Sequence, residues 1–250
     1  MEVHAHTHTE RKKFTHYLWE FLMLFLAVFC GFLAENWREH IVEHQREKEF
    51  MISMLSDLKA DTTNLHLMGI TFANAINHID TINELLKGDM NNPDHAAKIY
   101  QQYMNIYDYY KWNYTDRTVE QLKNSGNFRL IRKKNVSDMI MSYDVAIRGF
   151  VGNMQDMYIL PELRLMTDAA RDVFYSSVIR NYYKETFDYH PVRLPERPWF
   201  ISVEKNKVHK FINLSEEYAL SLESFNANLK IAADRAVNLD STIRKEYHLK

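Results

Sequence analysis

His40, Glu43 and His44 form the pattern HxxEH, which places two imidazoles and a carboxylate about one helical turn apart. Inverted-motif metalloproteases use this order, with both histidines bound to zinc and the glutamate as general base. The motif here lies in a mostly charged segment, residues 38–50, beside a strongly apolar one, and no cleft is evident. We therefore favour a solvated helix face over adventitious or structural metal binding, and metal binding over a protease.

Three further histidines alternate in the polar amino-terminal segment, residues 1–13: His4, His6 and His8. A flexible tail with this spacing suits chelation of zinc, nickel or copper. No second cluster in the sequence completes a closed site, so a disordered polar tail is the favoured interpretation. The metal candidates are therefore weak ones: His40, His44, His4, His6 and His8.

Other arrangements that could support catalysis are incomplete. Asp57 and Asp61 share one helix face, but the ExxH partners that a di-iron site in a helical bundle requires do not appear on any predicted helix. The sequence has no Gly-rich phosphate loop and no GxSxG elbow, and it offers no cysteine nucleophile. We predict that the protein is not an enzyme and holds no cofactor.

The composition favours helices and excludes several functions. The 250 residues include only six glycines and five prolines, whereas strand-rich folds need many turn residues. The 31 basic and 33 acidic residues leave no excess of positive charge for nucleic acid. Cys30 is the only cysteine, so the chain forms no internal disulfide. The predicted fold class is all-α, with no nucleic-acid partner.

Residues 14–37 predict a transmembrane helix. An uninterrupted apolar run covers residues 21–34, and tryptophans flank it at Trp19 and Trp37. The 18 steps between them span about 27 Å at 1.5 Å per residue, close to the ~30 Å hydrocarbon core of a bilayer. Tryptophans are enriched at both membrane interfaces, and Glu20 would reach the interface or pair in an oligomer.

A cleaved signal peptide is the main alternative, because basic residues precede the apolar run. Cleavage after Ala34 would place Phe32 where a small residue is needed, and a lipoprotein site at Cys30 fails for the same reason. We expect the segment to stay attached. Three basic residues adjoin its amino-terminal end, whereas those after it are dispersed among glutamates, which favours a cytoplasmic amino terminus.

Small residues form a stripe on the same apolar segment: Ala27, Cys30, Gly31 and Ala34. Such stripes let two membrane helices approach closely. The stripe suggests self-association, so a homo-oligomer or a protein partner is expected beside the bilayer itself.

Beyond the charged stalk at 38–50, residues 51–250 predict an antiparallel helical bundle. Apolar residues step by three and four along the first helix, and Gly88 ends it. Asn92 and Pro93 begin a second helix. A third helix covers 118–125 and ends before Gly126. A fourth is capped by Asn135 or Ser137 and is kinked or divided at Pro161. The last helix runs from about Leu214 to Tyr247.

Two further features belong to this domain. The second helix carries a stripe that we interpret as core: Tyr100, Tyr103, Tyr107 and Tyr110. Residues 187–200 contain three prolines and cannot be helical, so this irregular segment is the predicted contact surface.

Several short motifs resemble a domain-of-unknown-function family of bacterial single-pass membrane proteins. The matching positions are Glu20, the Asn36-Trp37 exit, LSDLKADT at 55–62, and LKNSGNFRLI at 122–131. The chain departs from that pattern at Trp19, where a glycine is usual, and in its His-rich tail. The resemblance implies an inner-membrane protein of bacteria with two membranes and a periplasmic domain, and it transfers no catalytic residue.

Three functions follow from these patterns. The preferred one is a structural or interaction protein that holds its helical domain near the membrane. The second is a ligand-sensing bundle, which would act through another protein because the 13 residues before the anchor carry no signalling output. A metal-binding protein or metalloenzyme is third.

Overall fold

The computed structural model describes residues 14–106, 111–185 and 192–249. These ranges are helical with connecting turns and contain no strand, which confirms the all-α prediction. The elements are α1 (Phe14–Leu85), α2 (Pro93–Asn105), α3 (Arg117–Asn124), a 3-10 turn (Asn127–Leu130), α4 (Lys134–Ala146), the π-helical segments π1 (Ile147–Asn153) and π2 (Gln155–Ile159), α5 (Leu160–Ala170), α6 (Ser176–Glu185) and α7 (Lys205–Tyr247).

The chain divides into two units, Met1–Glu49 and Phe50–Lys250. In the first unit, the described residues form the apolar and charged beginning of α1. The hydrophobic core lies in the second unit, which includes the rest of α1 and every later helix. The stalk is less uniformly solvated than its composition predicts, because Glu47 is buried.

Within the second unit, α1 and α7 pack antiparallel, as the sequence predicts. Asn83 near the end of α1 donates a hydrogen bond to Glu216 near the start of α7, at 2.7 Å. About three turns upstream on α1, the Phe72 ring lies 5.7 Å from the ring of Phe225. Residue numbers therefore rise along α7 as they fall along α1, and the apolar stripe of each helix faces the other.

The end of α1 is fixed by contacts with α2. The imidazole of His95 donates from Nε2 to the carbonyl oxygen of Leu85 at 2.7 Å, which satisfies one of the last carbonyls of α1. A Cβ on Gly88 would lie 2.8 Å from that Nε2, so the glycine is needed for close approach. Asn92 caps α2 as predicted, because its Oδ1 accepts from the amides of Asp94 and His95.

The third helix ends as predicted, since Gly126 follows it with φ of 66°, in the left-handed region. The predicted caps of the fourth helix are wrong. Helix α4 begins at Lys134, with Lys133 at its N-cap and no side-chain cap. Asn135 and Ser137 lie inside its first turn, and the amide of Ser137 already bonds to the Lys133 carbonyl.

The fourth predicted helix is divided before Pro161 while the chain remains helical. Residues upstream form π1 and π2, and α5 begins at Leu160, with Pro161 in its first turn. The proline has no N–H to donate back along the helix, and a first-turn position does not need one.

Two bounds near the carboxyl terminus differ from the prediction. Helix α7 begins at Lys205 rather than Leu214, because the buried Val208 and Phe211 extend its apolar stripe by two turns. Helix α6 (Ser176–Glu185) was not predicted. Its sequence is short and polar, and Val178 is its buried contact with the core.

The proline-rich segment is irregular over 192–200, as predicted, while 187–191 lie outside the described residues. It is less available as a contact surface than predicted. Phe200 is buried and stacks on Tyr100, with ring centroids 5.3 Å apart. The hydroxyl of Tyr100 donates to the Trp199 carbonyl at 2.8 Å and accepts from the amide of Tyr175 at 2.9 Å.

Tyr100 and Tyr103 are both buried, which confirms their predicted place in the core. The Tyr103 ring stacks on Phe174 at 4.3 Å. The two remaining tyrosines of the stripe, Tyr107 and Tyr110, lie outside the described residues.

Candidate functional site

The first candidate site is the apolar beginning of α1. The described part of the chain contains one helix long and apolar enough to cross a membrane, and its apolar stretch is exposed throughout. Trp19 and Trp37 lie near its two ends and are exposed. Glu20 pairs with His16 at 3.0 Å, and Glu35 pairs with Arg38 at 2.5 Å. The carboxylates near both ends therefore have cationic or histidine partners one turn away.

The HxxEH motif lies on α1, within the first unit. His40 and His44 are exposed, and Nδ1 of His44 donates to the carboxylate of Glu47 at 3.3 Å. Over residues 14–106, 111–185 and 192–249, no three His, Cys, Asp or Glu side chains come together in a way that could hold a metal ion. His4, His6 and His8 lie outside the described residues.

Asp57 and Asp61 do converge with other polar groups, in the interior of the second unit. Asp57 is 1% exposed. Its Oδ2 accepts from the backbone amide of Thr118 at 3.0 Å and from the Thr118 hydroxyl at 2.6 Å. Its Oδ1 accepts from the guanidinium of Arg117 at 2.5 Å. Asp57 thus binds the amino terminus of α3, where free amides and the helix dipole favour a carboxylate.

Asp61, one turn further along α1, holds the chain just before α3. It is also 1% exposed. Its Oδ1 accepts from the amide of Thr115 at 2.9 Å, and its Oδ2 accepts from the hydroxyl of Tyr143 at 2.8 Å. Asp61 therefore connects α1 to both the 111–116 loop and α4.

Asp144 is the third buried carboxylate of this cluster. It accepts from Lys123 at 2.5 Å and from Nε of Arg148 at 2.9 Å. The guanidinium of Arg148 also donates to Asp116 at 3.0 Å and to Glu120 at 2.6 Å. This network joins α3 to α4.

Burial and hydrogen bonding shift the pKa values of Asp61, Tyr143 and Asp144 in different directions. Burial raises the pKa of Asp61, against the hydrogen bonds from Thr115 and Tyr143, and nearby Asp57 adds to the rise. Burial also raises the pKa of Tyr143, as does the negative charge of Asp61. Burial opposes ionisation of Asp144 as well, but hydrogen bonds from Lys123 and Arg148 outweigh it and lower the pKa of that carboxyl.

The cluster is suited to holding the fold together. Its carboxylates are buried, and Asp57 and Asp61 accept backbone amides from the segment that they fix. A catalytic carboxylate needs access to a substrate, which these groups lack. Asp57 and Asp61 thus join α1 to residues 115–118, at the start of α3 and just before it. Sequence reasoning missed this contact, although both aspartates occur on the buried face of α1.

The second unit contains several open cavities, two of which lie against both α1 and α7 or the turns that adjoin them. One, of about 410 Å³, lies between the end of α1 and the start of α7, and its lining includes Lys87, Asp89, Lys205, Val208 and His209. The other is a largely apolar groove of about 560 Å³ between α1 and α7, lined by residues that include Leu65, Gly69 and Leu229.

Comparison with known proteins adds no relative: no protein-family model, curated protein or solved structure matches this chain.

Proposed function

We propose that the chain is a membrane-anchored structural or interaction protein of the bacterial envelope, without catalytic activity of its own. The observation that carries this proposal is the apolar stretch at the start of α1, which is exposed throughout and long enough to cross a bilayer. The resemblance to bacterial single-pass proteins supports an inner-membrane location, with the amino terminus in the cytoplasm and the helical domain in the periplasm.

The buried carboxylates support the same proposal. Asp57, Asp61 and Asp144 contact backbone and basic side chains within the domain, so their charge serves the fold. A rigid helical domain attached to a membrane helix suits a scaffold or accessory subunit, which acts by binding.

The test is to extract the full chain from its own membranes. We expect alkaline carbonate to leave it in the membrane pellet and mild detergent to release it in a complex of fixed composition, identified by particle mass and mass spectrometry. A chain released by carbonate would contradict the anchor. A chain that is monomeric, with every other protein at background, would contradict the interaction function.

The second candidate is a ligand-sensing domain, favoured by the cavity that carries Lys87, Lys205 and His209. Its two lysines, beside apolar side chains and the carboxylate of Asp89, suit a small organic ligand with a carboxylate group. Thermal shifts of the full chain with a panel of small carboxylates test it: a shift that Lys205→Ala abolishes supports sensing, and no shift across the panel contradicts it.

A further inference from the structure

An apolar stripe runs along the outer side of α4, π1, π2 and α5. Its members recur every four residues on the side opposite the buried ones, and all are exposed or partly exposed: Met141, Val145, Gly149, Asn153, Met157, Pro161 and Leu165. Val145 and Met157 are 64% and 65% exposed, well above the level of core side chains. We call this set the outer stripe.

The π-helical segments keep the outer stripe on one side of the helix. In an α-helix each residue turns about 100°, so a four-residue step drifts about 40° around the axis. The i→i+5 bonding of π1 (Ile147–Asn153) and π2 (Gln155–Ile159) places more residues in each turn, which reverses that drift. Side chains four residues apart therefore stay on one side of the helix across π1 and π2.

Gly149 has no role within the chain that would require a glycine. Gly126 is the only glycine with a positive φ among the described residues, so the backbone at Gly149 is open to other residues. A Cβ placed there would meet nothing within 4 Å. Glycine is also among the least favourable residues in a helix interior. A bare backbone at this point is useful where another helix approaches closely.

The outer stripe is suited to pairing with itself. None of its seven members is charged, and the exposed charged side chains that flank it carry both signs: Arg148, Asp156 and Arg164. Asn153 lies midway, 12 residues from Met141 and 12 from Leu165. A two-fold axis places the residues nearest to it against their own copies, and two asparagine side chains can satisfy each other's donors and acceptors.

The area of the outer stripe indicates that the second copy must be anchored in the same membrane. Twenty-four steps at 1.5 Å and a width of about 10 Å bury about 360 Å² on each copy, or about 700 Å² in total. Stable complexes of soluble proteins bury about 1,200 Å² or more. A smaller interface is sufficient when both partners are held in one membrane at high effective concentration, which an apolar span such as that of α1 provides.

We propose that the outer stripe binds the outer stripe of a second copy of this chain anchored in the same membrane, in a two-fold pair centred on Asn153, with Gly149 about one turn away. The proposal rests on the proposed interaction function and names the partner. Residues at the centre contact their own copies whichever way the two helices run.

Disulfide crosslinking of the full chain in native membranes tests the centre of this pair. In a Cys30→Ser background, Asn153→Cys is expected to give a covalent dimer as the main species after mild oxidation. Ser224→Cys, at an exposed position on α7, is the matched control and is expected to stay monomeric. Equal crosslinking at both positions, or none at Asn153→Cys, overturns the proposal.

Particle mass in detergent gives the second measurement. We expect the unmodified chain to be a dimer and Val145→Lys to be a monomer with unchanged helical content. Val237→Lys is the matched control, because that valine is 54% exposed on α7 and should leave the dimer intact. A dimer that survives Val145→Lys but is lost in Gly31→Leu would place the pairing in the anchor and overturn the proposal.

The same preparation separates this proposal from the proposed function. A single copy bound at fixed ratio to a different protein overturns self-pairing and leaves the interaction function standing. A single copy with no other protein overturns both.

Discussion

Asp57 and Asp61 carry two carboxylates into the interior of the helical domain, and donors from the 115–118 segment surround each of them. Their contribution to stability is the cost of removing them, which leaves two backbone amides without an acceptor: a buried one at the start of α3 and a partly buried one in the loop before it. Their spacing on α1 could be predicted from the sequence, since both fall on its apolar face. Their partners could not, because those lie more than 50 residues away and depend on how α3 docks.

Asp57→Ala is expected to destabilise the domain by about 2–4 kcal/mol, because it strips Thr118 and Arg117 of a buried acceptor. Urea unfolding followed by circular dichroism gives the change in the free energy of unfolding. Glu84→Ala is the control: Glu84 pairs with Lys87 on the surface, and its loss is expected to cost about 0.5 kcal/mol or less. Equal costs for the two variants would contradict the role of Asp57 in holding the start of α3.

Asp61 and Asp144 are expected to give the stability opposite dependences on pH. The pKa of Asp61 is raised in the folded state, so its contribution is present below the unfolded carboxyl pKa of about 4 and is lost as pH rises through the folded pKa. The pKa of Asp144 is lowered, so its contribution is present above about pH 4 and is lost as pH falls through the folded pKa.

The measurement is the free energy of unfolding of the unmodified chain minus that of each Asn variant, taken at intervals between pH 3 and pH 8. The difference for Asp61→Asn should fall as pH rises, and the difference for Asp144→Asn should rise. Slopes of the same sign would show that one of the two environments is misassigned.

At the scale of single elements, the junction between α1 and α2 depends on one close contact. Gly88→Ala would place a Cβ 2.8 Å from Nε2 of His95 and displace the bond from that nitrogen to the Leu85 carbonyl. We expect a cost of about 1–2 kcal/mol in thermal or urea unfolding. In a His95→Ala background the same substitution should cost little, and an unchanged cost there would contradict this account.

The last residues of the proline-rich segment belong to the core. Phe200→Ala is expected to destabilise the domain by about 3–5 kcal/mol, because Phe200 is buried and stacks on Tyr100. Arg197→Ala, on an exposed side chain over the Trp199 ring, should cost about 1 kcal/mol or less. Urea unfolding gives the cost of each substitution. Similar small costs would contradict the assignment of Phe200 to the core.

The elements that the sequence predicts well are those with long apolar periods or a defined cap. The repeat along α1, the Asn92 cap and the stop at Gly126 each have a local cause, so each is legible in the chain. The missed features have distant causes. Helix α6 is held by packing rather than by periodicity, and the π-helical segments around Gly149 have no sequence signal that we recognise.

At the scale of the whole molecule, two features stand out: an apolar helix start that is long and apolar enough to cross a membrane, and a helical domain with its own hydrophobic core. The sequence predicts the first from composition alone, because a bilayer acts on length and hydropathy. In the second it predicts a contact surface at residues 187–200 but no catalytic or ligand-binding motif. The metal-binding histidines remain predictions. The function is best sought by identifying what the exposed surfaces bind.

Membrane orientation is the prediction on which the other whole-molecule inferences depend. Basic residues adjoin the amino-terminal end of the apolar span, whereas those beyond it are mixed with glutamates, so the positive-inside rule favours a cytoplasmic amino terminus. Single cysteines introduced in a Cys30→Ser background report each side through a membrane-impermeant maleimide. We expect Ser224→Cys to be labelled in cells whose outer membrane alone is permeabilised, and Thr7→Cys to be labelled only after lysis. The reverse pattern would place the helical domain in the cytoplasm and contradict the predicted orientation.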